Sequence, residues 1–272
     1  MCNMIELLAI DMDGTLLNSR HQVTDRTLQA LQNAAEAGIT IVPTTGRPIG
    51  SLPHRIVGEA FYRYVISSNG ACTTDLQTGK ELYEAEIDRE KAIRMLRACS
   101  GMKHVGVSAH VEHLFVLQGR LLSILGRLSY GRDARKTRTC GNLITEVERR
   151  GKNVEELQLF YFSDSARTAL EAMLAEVPQI HCAWTAPYVE VFDAGASKGR
   201  ALAALAQSLK IPREKVACIG DAENDFSMFD AAGVRFAMGN AIDALKARAD
   251  QVLPSNDEDG VAAAIDRLLK HS

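Results

Sequence analysis

The chain has 272 residues, of which 46% are apolar and 24% charged, and its formal net charge is −3. These values fit one large or two moderate globular domains and oppose a surface built to bind nucleic acid. The apolar stretches are too short to span a bilayer, and the N-terminal residues do not resemble a signal peptide. Six widely spaced cysteines form no C-x-x-C pair, so we expect a cytoplasmic protein with reduced thiols.

The first predicted element is a buried strand that ends in two carboxylates. The apolar run at 5–10 has the length of a strand and leads into Asp11-Met12-Asp13-Gly14-Thr15. A carboxylate at the edge of a core is costly unless it is paired or binds a cation. Because ligands of open α/β sheets bind at the carboxyl ends of strands, Asp11 and Asp13 mark a candidate site.

A βαβ unit follows this first motif. The pattern predicts a helix that begins at Thr24 or Asp25 and ends near Gly38. A second strand is predicted over 39–42, stopped by Pro43. The crossover between the two strands should be right-handed, which starts a parallel sheet.

Two further strand ends carry polar residues. The second strand runs into Thr44-Thr45-Gly46-Arg47-Pro48, and a third, predicted over 64–66, runs into Ser67-Ser68-Asn69-Gly70-Ala71. Arg47 fits a contact with substrate or phosphate and fits a surface ion pair equally well. Asn69 fits a turn residue as well as a residue that lines a site.

Beyond residue 82 the pattern changes from α/β alternation to helix–strand–strand, and this order occurs twice. The helices are predicted over 88–99 and 165–176, while 120–150 is ambiguous and rich in arginine. The accompanying strands are predicted over 105–109, 114–117, 157–162, 180–184 and 189–192. We therefore expect an inserted α/β cap domain at 83–193 and a core domain formed by 1–82 and 194–272.

Polar residues of this insert have two interpretations each. His110, Glu112 and His113 fit a solvated hairpin better than a substrate contact, and Trp184 fits the core better than a substrate-facing position. A basic stretch fits a solvated helix face better than an anion site. Its members are Arg127, Arg132, Arg135, Lys136 and Arg138.

From Ser197 the α/β alternation resumes. Ser197 is the predicted cap of an amphipathic helix, and a strand at 216–219 runs into Gly220-Asp221-Ala222-Glu223-Asn224-Asp225. Further strands are predicted at 234–237 and 251–253. The remaining helices are predicted at 224–232, 241–249 and 258–270.

These strand ends and helix starts would gather one set of side chains at one edge of the sheet. Its members are Asp11, Asp13, Thr45, Lys198, Asp221, Asn224 and Asp225. Carboxylates so gathered repel one another unless a cation lies among them, and oxygen ligands suit Mg²⁺. A metal, a lysine and a hydroxyl around a carboxylate are typical of phosphoryl transfer. Asp225 also fits a helix N-terminal charge that binds no metal.

The ordered motifs carry a resemblance to a known family. Their order and spacing resemble the haloacid dehalogenase-like superfamily of phosphohydrolases and, within it, the Cof-type group of sugar and small-metabolite phosphatases. The matching segments are Asp11 to Thr15, Thr45 to Pro48, Ser68 to Ala71, Ser197 to Gly199 and Gly220 to Asp225. The resemblance implies a Rossmann-like, doubly wound parallel sheet with an inserted α+β cap.

The same resemblance implies roles. Asp11 would be the nucleophile that forms an aspartyl-phosphate, and Asp13 would be the general acid and then the general base. Mg²⁺ would be held by the carboxylates of Asp11 and Asp221 and the backbone carbonyl of Asp13, with Asp225 acting directly or through a water. The expected phosphate or substrate contacts are Thr45, Gly46, Arg47, Lys198 and Asn224.

These roles predict an Mg²⁺-dependent phosphatase that acts on small phosphorylated metabolites, with sugar phosphates first. A phosphosugar mutase on the same scaffold and a non-catalytic sensor of phosphorylated metabolites are the alternatives. We expect no nucleic acid and no membrane among its partners. The sequence leaves the substrate and the oligomeric state open.

Overall fold

The computed structural model describes residues 4–120, 122, 124 and 137–270. In chain order, its strands are β1 (Leu7–Asp11), β2 (Thr40–Thr44), β3 (Tyr64–Ser67), β4 (Cys72–Asp75), β5 (Lys80–Glu84), β6 (Val105–Val111), β7 (Leu114–Gln118), β8 (Arg138–Cys140), β9 (Glu156–Tyr161), β10 (Ile180–Thr185), β11 (Tyr188–Asp193), β12 (Val216–Gly220), β13 (Val234–Ala237) and β14 (Gln251–Val252). The helices are α1 (Asp25–Glu36), α2 (His54–Val57), α3 (Arg89–Ser100), α4 (Leu143–Arg150), α5 (Asp164–Ala175), α6 (Lys198–Ser208), α7 (Phe226–Ala231), α8 (Asp243–Lys246) and α9 (Gly260–Lys270). None of these helices combines the length and the apolar composition that a membrane-spanning segment requires.

The chain forms two compact units. The core unit comprises Met1–Gly46, His54–Glu84 and Ser197–Ser272, and the inserted unit comprises Arg47–Pro53 and Ala85–Ala196. The boundaries between the two units lie after Glu84 and Ala196, whereas the sequence predicted them after residues 82 and 193. Arg47–Pro53, expected in the core, groups with the inserted unit because Gly50 N–H donates to the carbonyl of His113 at 2.8 Å.

The core sheet has the strand order β14-β13-β12-β1-β2-β3-β4-β5. The first six strands in this order, from β14 through β3, pair in parallel. The chain winds outward from β1 to β3 on one side of the sheet and from β12 to β14 on the other. The order therefore reverses between β1 and β12, which is where open α/β sheets bind ligands. The predicted doubly wound fold is confirmed.

The register of β1 and β12 brings the first and last sequence motifs together. Leu7 pairs with Val216 and Ile10 with Ile219, so Asp11 and Gly220 leave the sheet side by side. Both strands are buried along their whole length, as the apolar sequences predict. The sheet thus holds the Asp11 and Asp221 segments at one edge.

Pro43 does not stop the second strand, contrary to the prediction. It lies inside β2 and pairs with Ile10. Thr45 N–H donates to Ile66 of β3 at 2.9 Å, so alternate residues, Pro43 included, point their backbone groups toward β3. Pro43 therefore costs no bond to β1, because its missing N–H would face β3. It also costs no bond to β3, because pairing between β2 and β3 is limited to Thr44 with Ile66.

The core sheet ends in an antiparallel hairpin that the sequence analysis missed. Strands β4 and β5 follow β3 in antiparallel order. The signal was present in the β-branched pair Thr73 and Thr74 and in a turn that closes at Gly79, whose φ is +69°. The charged residues along β5 obscured the strand pattern, so this hairpin was not predicted.

Predicted helix caps are confirmed where a polar side chain precedes an apolar run. Thr24 accepts from Thr27 N–H at 3.1 Å at the start of α1, and Ser197 accepts from Arg200 N–H at 3.1 Å at the start of α6. Each bond satisfies an N–H that has no partner inside its helix. The second of these caps fixes where Lys198 begins its helix.

The inserted unit is a six-stranded sheet of order β10-β11-β9-β6-β7-β8. All neighbours are antiparallel except β7 and β8. Helices α3, α4 and α5 contribute to the hydrophobic core on one face of this sheet through residues such as Leu96, Val147 and Leu170. Trp184 packs partly buried against that core, in line with the core interpretation.

Buried polar residues follow the opposite face of the inserted sheet. His110 and Glu156 are fully buried with Nδ1 and Oε2 3.8 Å apart, and Gln158 donates to Glu156 at 3.0 Å. Burial lowers the pKa of His110 to about 4, although the carboxylate of Glu155 opposes the shift. The solvated-hairpin interpretation is therefore wrong for His110. Arg138 lies exposed in β8, and the other members of the basic stretch fall outside the described residues.

Candidate active site

Four charged side chains converge where the strand order reverses. Asp11 ends β1, Asp221 follows β12, Lys198 begins α6, and Asp225 ends the 3₁₀ turn Glu223–Asp225. Oxygen atoms of the three carboxylates lie within 4.8 Å of one another. The predicted meeting of these residues is therefore observed in the core unit.

Lys198 lies between two of the carboxylates. Its Nζ is 2.5 Å from Asp11 Oδ1 and 2.7 Å from Asp225 Oδ1, and the residue is 1% exposed. Burial opposes the charge, but Asp11 and Asp225 outweigh it and hold the pKa of Lys198 above its ordinary value. The site therefore contains a buried cation whose charge the neighbouring carboxylates favour.

Two glycines let the start of α6 approach its neighbours. Gly70 has a φ of +90°, and a Cβ there would lie 2.3 Å from the backbone of Ser197. A Cβ on Gly199 would lie 1.9 Å from the carbonyl oxygen of Ser227 in α7. Gly199 N–H also donates to Ser227 Oγ at 3.0 Å. Only glycine permits these contacts, which position the Lys198 side chain.

Both oxygens of Asp225 are engaged by protein groups. Oδ1 accepts from Lys198, and Oδ2 accepts from the backbone N–H groups of Asp221 at 2.8 Å and Ala222 at 3.1 Å. This carboxylate is fully buried and anchors the turn that carries Asp221. The geometry favours a role for Asp225 in holding Lys198 and the Asp221 turn rather than in binding a metal directly. Its oxygens nevertheless lie near those of Asp11 and Asp221.

Asp221 is fixed by the loop that follows β1. Thr15 Oγ1 donates to Asp221 Oδ1 at 2.7 Å. Gly14 has a φ of +85°, and a Cβ there would lie 2.4 Å from Asp221 Oδ2. Thr15 belongs to the first motif, but this contact was not predicted from the sequence. The hydroxyl at the fifth motif position was the available signal.

The electrostatics of the acidic group favour an additional cation. Burial raises the pKa of Asp11 well above its ordinary value, the negative charge of Asp225 adds to this, and Lys198 opposes it. Burial also raises the pKa of Asp221. Three carboxylates and one ammonium sum to −2 when all are ionised. A small divalent cation with oxygen ligands therefore fits these residues in charge and donor type.

Asp13 differs from Asp11 in its surroundings. Its side chain is 46% exposed, and its Oδ1 lies 3.8 Å from Nδ1 of His21. The turn that follows Asp11 and contains Asp13 is held by two backbone bonds. Leu16 N–H donates to the carbonyl of Asp11 at 3.1 Å, and Leu17 N–H donates to the carbonyl of Met12 at 2.8 Å. A water-accessible carboxylate two residues from a buried one suits proton exchange with solvent.

Thr45 and Gly46 reach Asn224 through Asn69. Thr45 is buried, and its carbonyl accepts from Asn69 N–H at 3.0 Å. Asn224 Nδ2 donates to Asn69 Oδ1 at 3.2 Å, and a Cβ on Gly46 would lie 3.2 Å from the Asn69 amide. The structure thus joins three predicted residues through Asn69, whose role the sequence left open.

Arg47 belongs to the inserted unit. Its side chain is buried, and its guanidinium donates to the carbonyl of Ser51 at 3.4 Å. The residue is buried, so it does not lie at the surface as the ion-pair interpretation required. A contact with substrate stays a prediction.

Two asparagines that the sequence analysis missed hold the loop after β1. Asn240 Nδ2 donates to the carbonyl of Gly14 at 2.8 Å, and Asn240 Oδ1 accepts from Asn256 N–H at 3.0 Å. Asn256 Nδ2 in turn donates to the carbonyl of Leu17 at 2.9 Å. These contacts join segments more than 200 residues apart, so no local pattern revealed them.

Replacing Gly14 by Ala should destabilise the protein and weaken divalent cation binding. The added Cβ meets Asp221 in a backbone conformation that already disfavours Ala, so the cost should exceed the roughly 1–2 kcal/mol of the left-handed backbone alone. Gly79→Ala is the matched control, since Gly79 has a φ of +69° and nothing within 4 Å of the added Cβ. Urea unfolding and calorimetric Mg²⁺ titration measure both effects. Equal losses in the two variants would mean that the Asp221 contact is unimportant.

Comparison with known proteins gives the family. A model described as haloacid dehalogenase-like hydrolase matches residues 8–265. Phosphatase YwpJ of Bacillus subtilis (strain 168) is 32% identical over 287 residues, covering 97% of this chain and 100% of that protein. The 5-amino-6-(5-phospho-D-ribitylamino)uracil phosphatase YwtE of the same organism is 29% identical, covering 97% and 98%. A crystal structure of a haloacid dehalogenase-like hydrolase from Bacteroides thetaiotaomicron has a TM-score of 0.86 at 27% identity, covering 97% of this chain and 99% of that one.

The fold and the site define an α/β enzyme with a buried acidic centre. The chain belongs to the haloacid dehalogenase-like hydrolase family. The family, fold class and enzyme class expected from the motifs, a phosphoric monoester hydrolase, are thereby confirmed.

Proposed function

We propose that the protein is an Mg²⁺-dependent phosphatase of small phosphorylated metabolites that works through an aspartyl-phosphate on Asp11. The observation that carries the proposal is the placement of one buried ammonium, Lys198, between Asp11 and Asp225 beside Asp221. A carboxylate attacks a phosphate dianion only if nearby cations offset the repulsion between them. Lys198 supplies one such cation, and the remaining charge of the acidic group suits a divalent ion.

In the first step, an Asp11 carboxylate oxygen attacks phosphorus and the bond from phosphorus to the leaving oxygen breaks. Asp13 gives its proton to that oxygen, which leaves as an alcohol. In the second step, Asp13 takes a proton from water, and the water oxygen attacks phosphorus. The bond from phosphorus to the Asp11 oxygen breaks, which releases inorganic phosphate and restores the Asp11 carboxylate. The exposure of Asp13 supports this part because its carboxylate must meet both a leaving group and water.

The remaining polar residues would hold the phosphoryl group and the metal. Asp11 and Asp221 would hold Mg²⁺ with the backbone carbonyl of Asp13, and the bound ion would withdraw charge from the phosphoryl oxygens. Asp225 would act indirectly, by fixing Lys198 and the Asp221 turn. Thr45 and Asn224 would contact phosphoryl oxygens from the segments that Asn69 joins.

Phosphate esters of polyhydroxylated small molecules are the proposed substrate class, with sugar phosphates first. YwtE, named for a phosphorylated ribitylamino compound, supports a substrate in which phosphate ends a hydroxylated carbon chain. A cytoplasmic location would fit such metabolites.

The test is phosphate release from a panel of phosphate monoesters by the purified protein. We expect Mg²⁺-dependent turnover of p-nitrophenyl phosphate and of several sugar phosphates, and its loss in EDTA. The panel should include a ribitylamino phosphate, pyridoxal phosphate and a hexose 1-phosphate. Release that is equal with Mg²⁺ and EDTA would contradict the metal, and a folded protein inactive on every ester would contradict the function.

Asn240→Ala should slow turnover without removing substrate binding. Loss of its bond to the Gly14 carbonyl frees the segment that orients Asp13, and misplacement of a catalytic group by about 1 Å costs up to roughly 100-fold in rate. We expect kcat to fall about tenfold or more while KM changes little. Asn33→Ala, on the exposed face of α1, is the control. A higher KM at unchanged kcat would show that Asn240 acts on binding and not on Asp13.

A further inference from the structure

Strand β10 forms an open edge of the inserted sheet. It pairs with β11 through six consecutive residue pairs without a bulge, and no other described strand lies on its far side. Its sequence is Ile-His-Cys-Ala-Trp-Thr, which contains no Lys, Arg, Asp or Glu. Long, regular and uncharged edges pair readily with a further strand.

The other sheet edges lack this combination of length and neutrality. Strand β14 has two residues and β8 has three, one of them an arginine. Strand β5 has five residues but carries one lysine and two glutamates and contains a register shift. Short edges, charges and bulges are the usual means by which proteins block pairing. Among the described strands, β10 is the edge without such protection.

The direction of the free backbone groups follows from the register. Ala194 N–H donates to the carbonyl of Gln179 at 3.2 Å, so position 179 is hydrogen-bonded to the strand containing β11. Backbone groups in an antiparallel ladder alternate between the two sides. Residues 181, 183 and 185 therefore bond to β11, while Ile180, Cys182 and Trp184 point their N–H and C=O groups outward.

The same three residues leave apolar surface at the edge. Ile180, Cys182 and Trp184 pack against the hydrophobic core of the inserted unit but stay partly exposed. A strand added beside β10 would cover their open sides. A further strand beside β10 would therefore both bond to the outward backbone groups and cover the exposed apolar side chains.

We propose that β10 pairs with β10 of a second copy of this chain in antiparallel orientation, so that two inserted sheets join into one of twelve strands. A twofold axis normal to the sheet keeps the helix-covered faces on the same side. With Cys182 opposite its own copy, Ile180 lies opposite Trp184 of the second chain. This register uses all outward groups of the three residues and forms six backbone hydrogen bonds. Each Ile180 then packs against an aromatic ring across the strands.

The absence of charged residues supports a second copy as the occupant, and the length of the edge sets how tightly that copy binds. The residues of β10 include no Lys, Arg, Asp or Glu, so pairing of this strand with its own copy places no such side chains opposite each other. A six-residue strand is about 20 Å long, so edge pairing buries less surface than stable dimers usually need. The dimer should therefore be weak, with a Kd on the order of 10–100 µM.

Sedimentation velocity of the full chain, from about 1 to 500 µM, tests the association around that Kd. We expect a concentration-dependent shift from monomer to dimer. A monomer at every concentration would overturn the proposal. So would a dimer that persists unchanged in the variant described next.

Cys182→Pro, compared with Cys182→Ala, locates the contact. Proline removes an N–H that points outward, so β10 keeps its bonds to β11, whereas Ala keeps the N–H. The Pro variant should be monomeric with unchanged phosphatase activity per chain, and the Ala variant should dimerise like the wild type. Activity and thermal unfolding check that the Pro variant is folded.

Amide hydrogen exchange gives a readout that does not depend on any variant. In the wild-type chain, the N–H groups of Ile180, Cys182 and Trp184 should exchange more slowly as concentration rises. Those of 181, 183 and 185 should be protected at every concentration. A dimer in which the three outward amides exchange equally fast at all concentrations would show that another surface forms it.

Discussion

Asp11→Asn is expected to lower kcat by at least about 10⁴-fold and to leave the fold intact. An amide cannot replace the carboxylate as the nucleophile that bonds to phosphorus. The stability should not fall, because burial and the charge of Asp225 already disfavour the ionised form of Asp11, as the raised pKa of that carboxyl shows. Lys198 keeps its second partner, Asp225, at 2.7 Å.

Steady-state hydrolysis with Mg²⁺ and thermal unfolding of the same preparation measure the two halves of this prediction. Asp250→Asn is the matched control, since that carboxylate pairs with Arg235 at 2.7 Å on the protein surface. The control should hydrolyse phosphate esters like the wild type. An Asp11→Asn variant with near-wild-type turnover would remove Asp11 from the nucleophile role and with it the proposed intermediate.

Lys198→Met should lower the free energy of unfolding by roughly 3–5 kcal/mol, the usual cost of removing one partner of a buried ion pair. Methionine fills a similar volume but leaves Asp11 and Asp225 facing each other without the ammonium that lies 2.5 and 2.7 Å from them. Phosphate hydrolysis should also be lost, because the transferring group loses a fixed cation.

Urea unfolding with and without Mg²⁺ measures this loss and its partial recovery. A divalent ion should stabilise the variant more than the wild type, because it replaces part of the missing positive charge. Lys215→Met is the control, since Lys215 pairs with Glu6 at a partly exposed position and should contribute about 1 kcal/mol or less. Similar losses in both variants would contradict the account of Lys198 as the cation that neutralises the buried acids.

Local patterns were sufficient for the elements whose signals lie within a few residues. The apolar strand before Asp11, the caps Thr24 and Ser197, and the strand before Asp221 each follow from neighbouring residues. Helix capping and strand burial depend on short sequence separations, so a single sequence reveals them. The doubly wound order then follows from the alternation of strands and helices.

Predictions failed where a distant contact decided the outcome. Pro43 stays inside β2 because the pairing of β2 with β3 begins only at Thr44. His110 is buried beside Glu156, although its position near a turn favoured solvent. In each case the competing contact comes from a segment that the local pattern does not include.

By itself, the sequence determined which chemical groups stand at the strand ends and in what order. Asp11, Asp13, Lys198 and Asp221 each follow a local signal of strand, turn or helix start. Only the tertiary structure decided which of these groups contact one another around the acidic centre. The bonds of Lys198 to Asp11 and of Thr15 to Asp221 join residues 187 and 206 positions apart, and such distances are set by strand order and register.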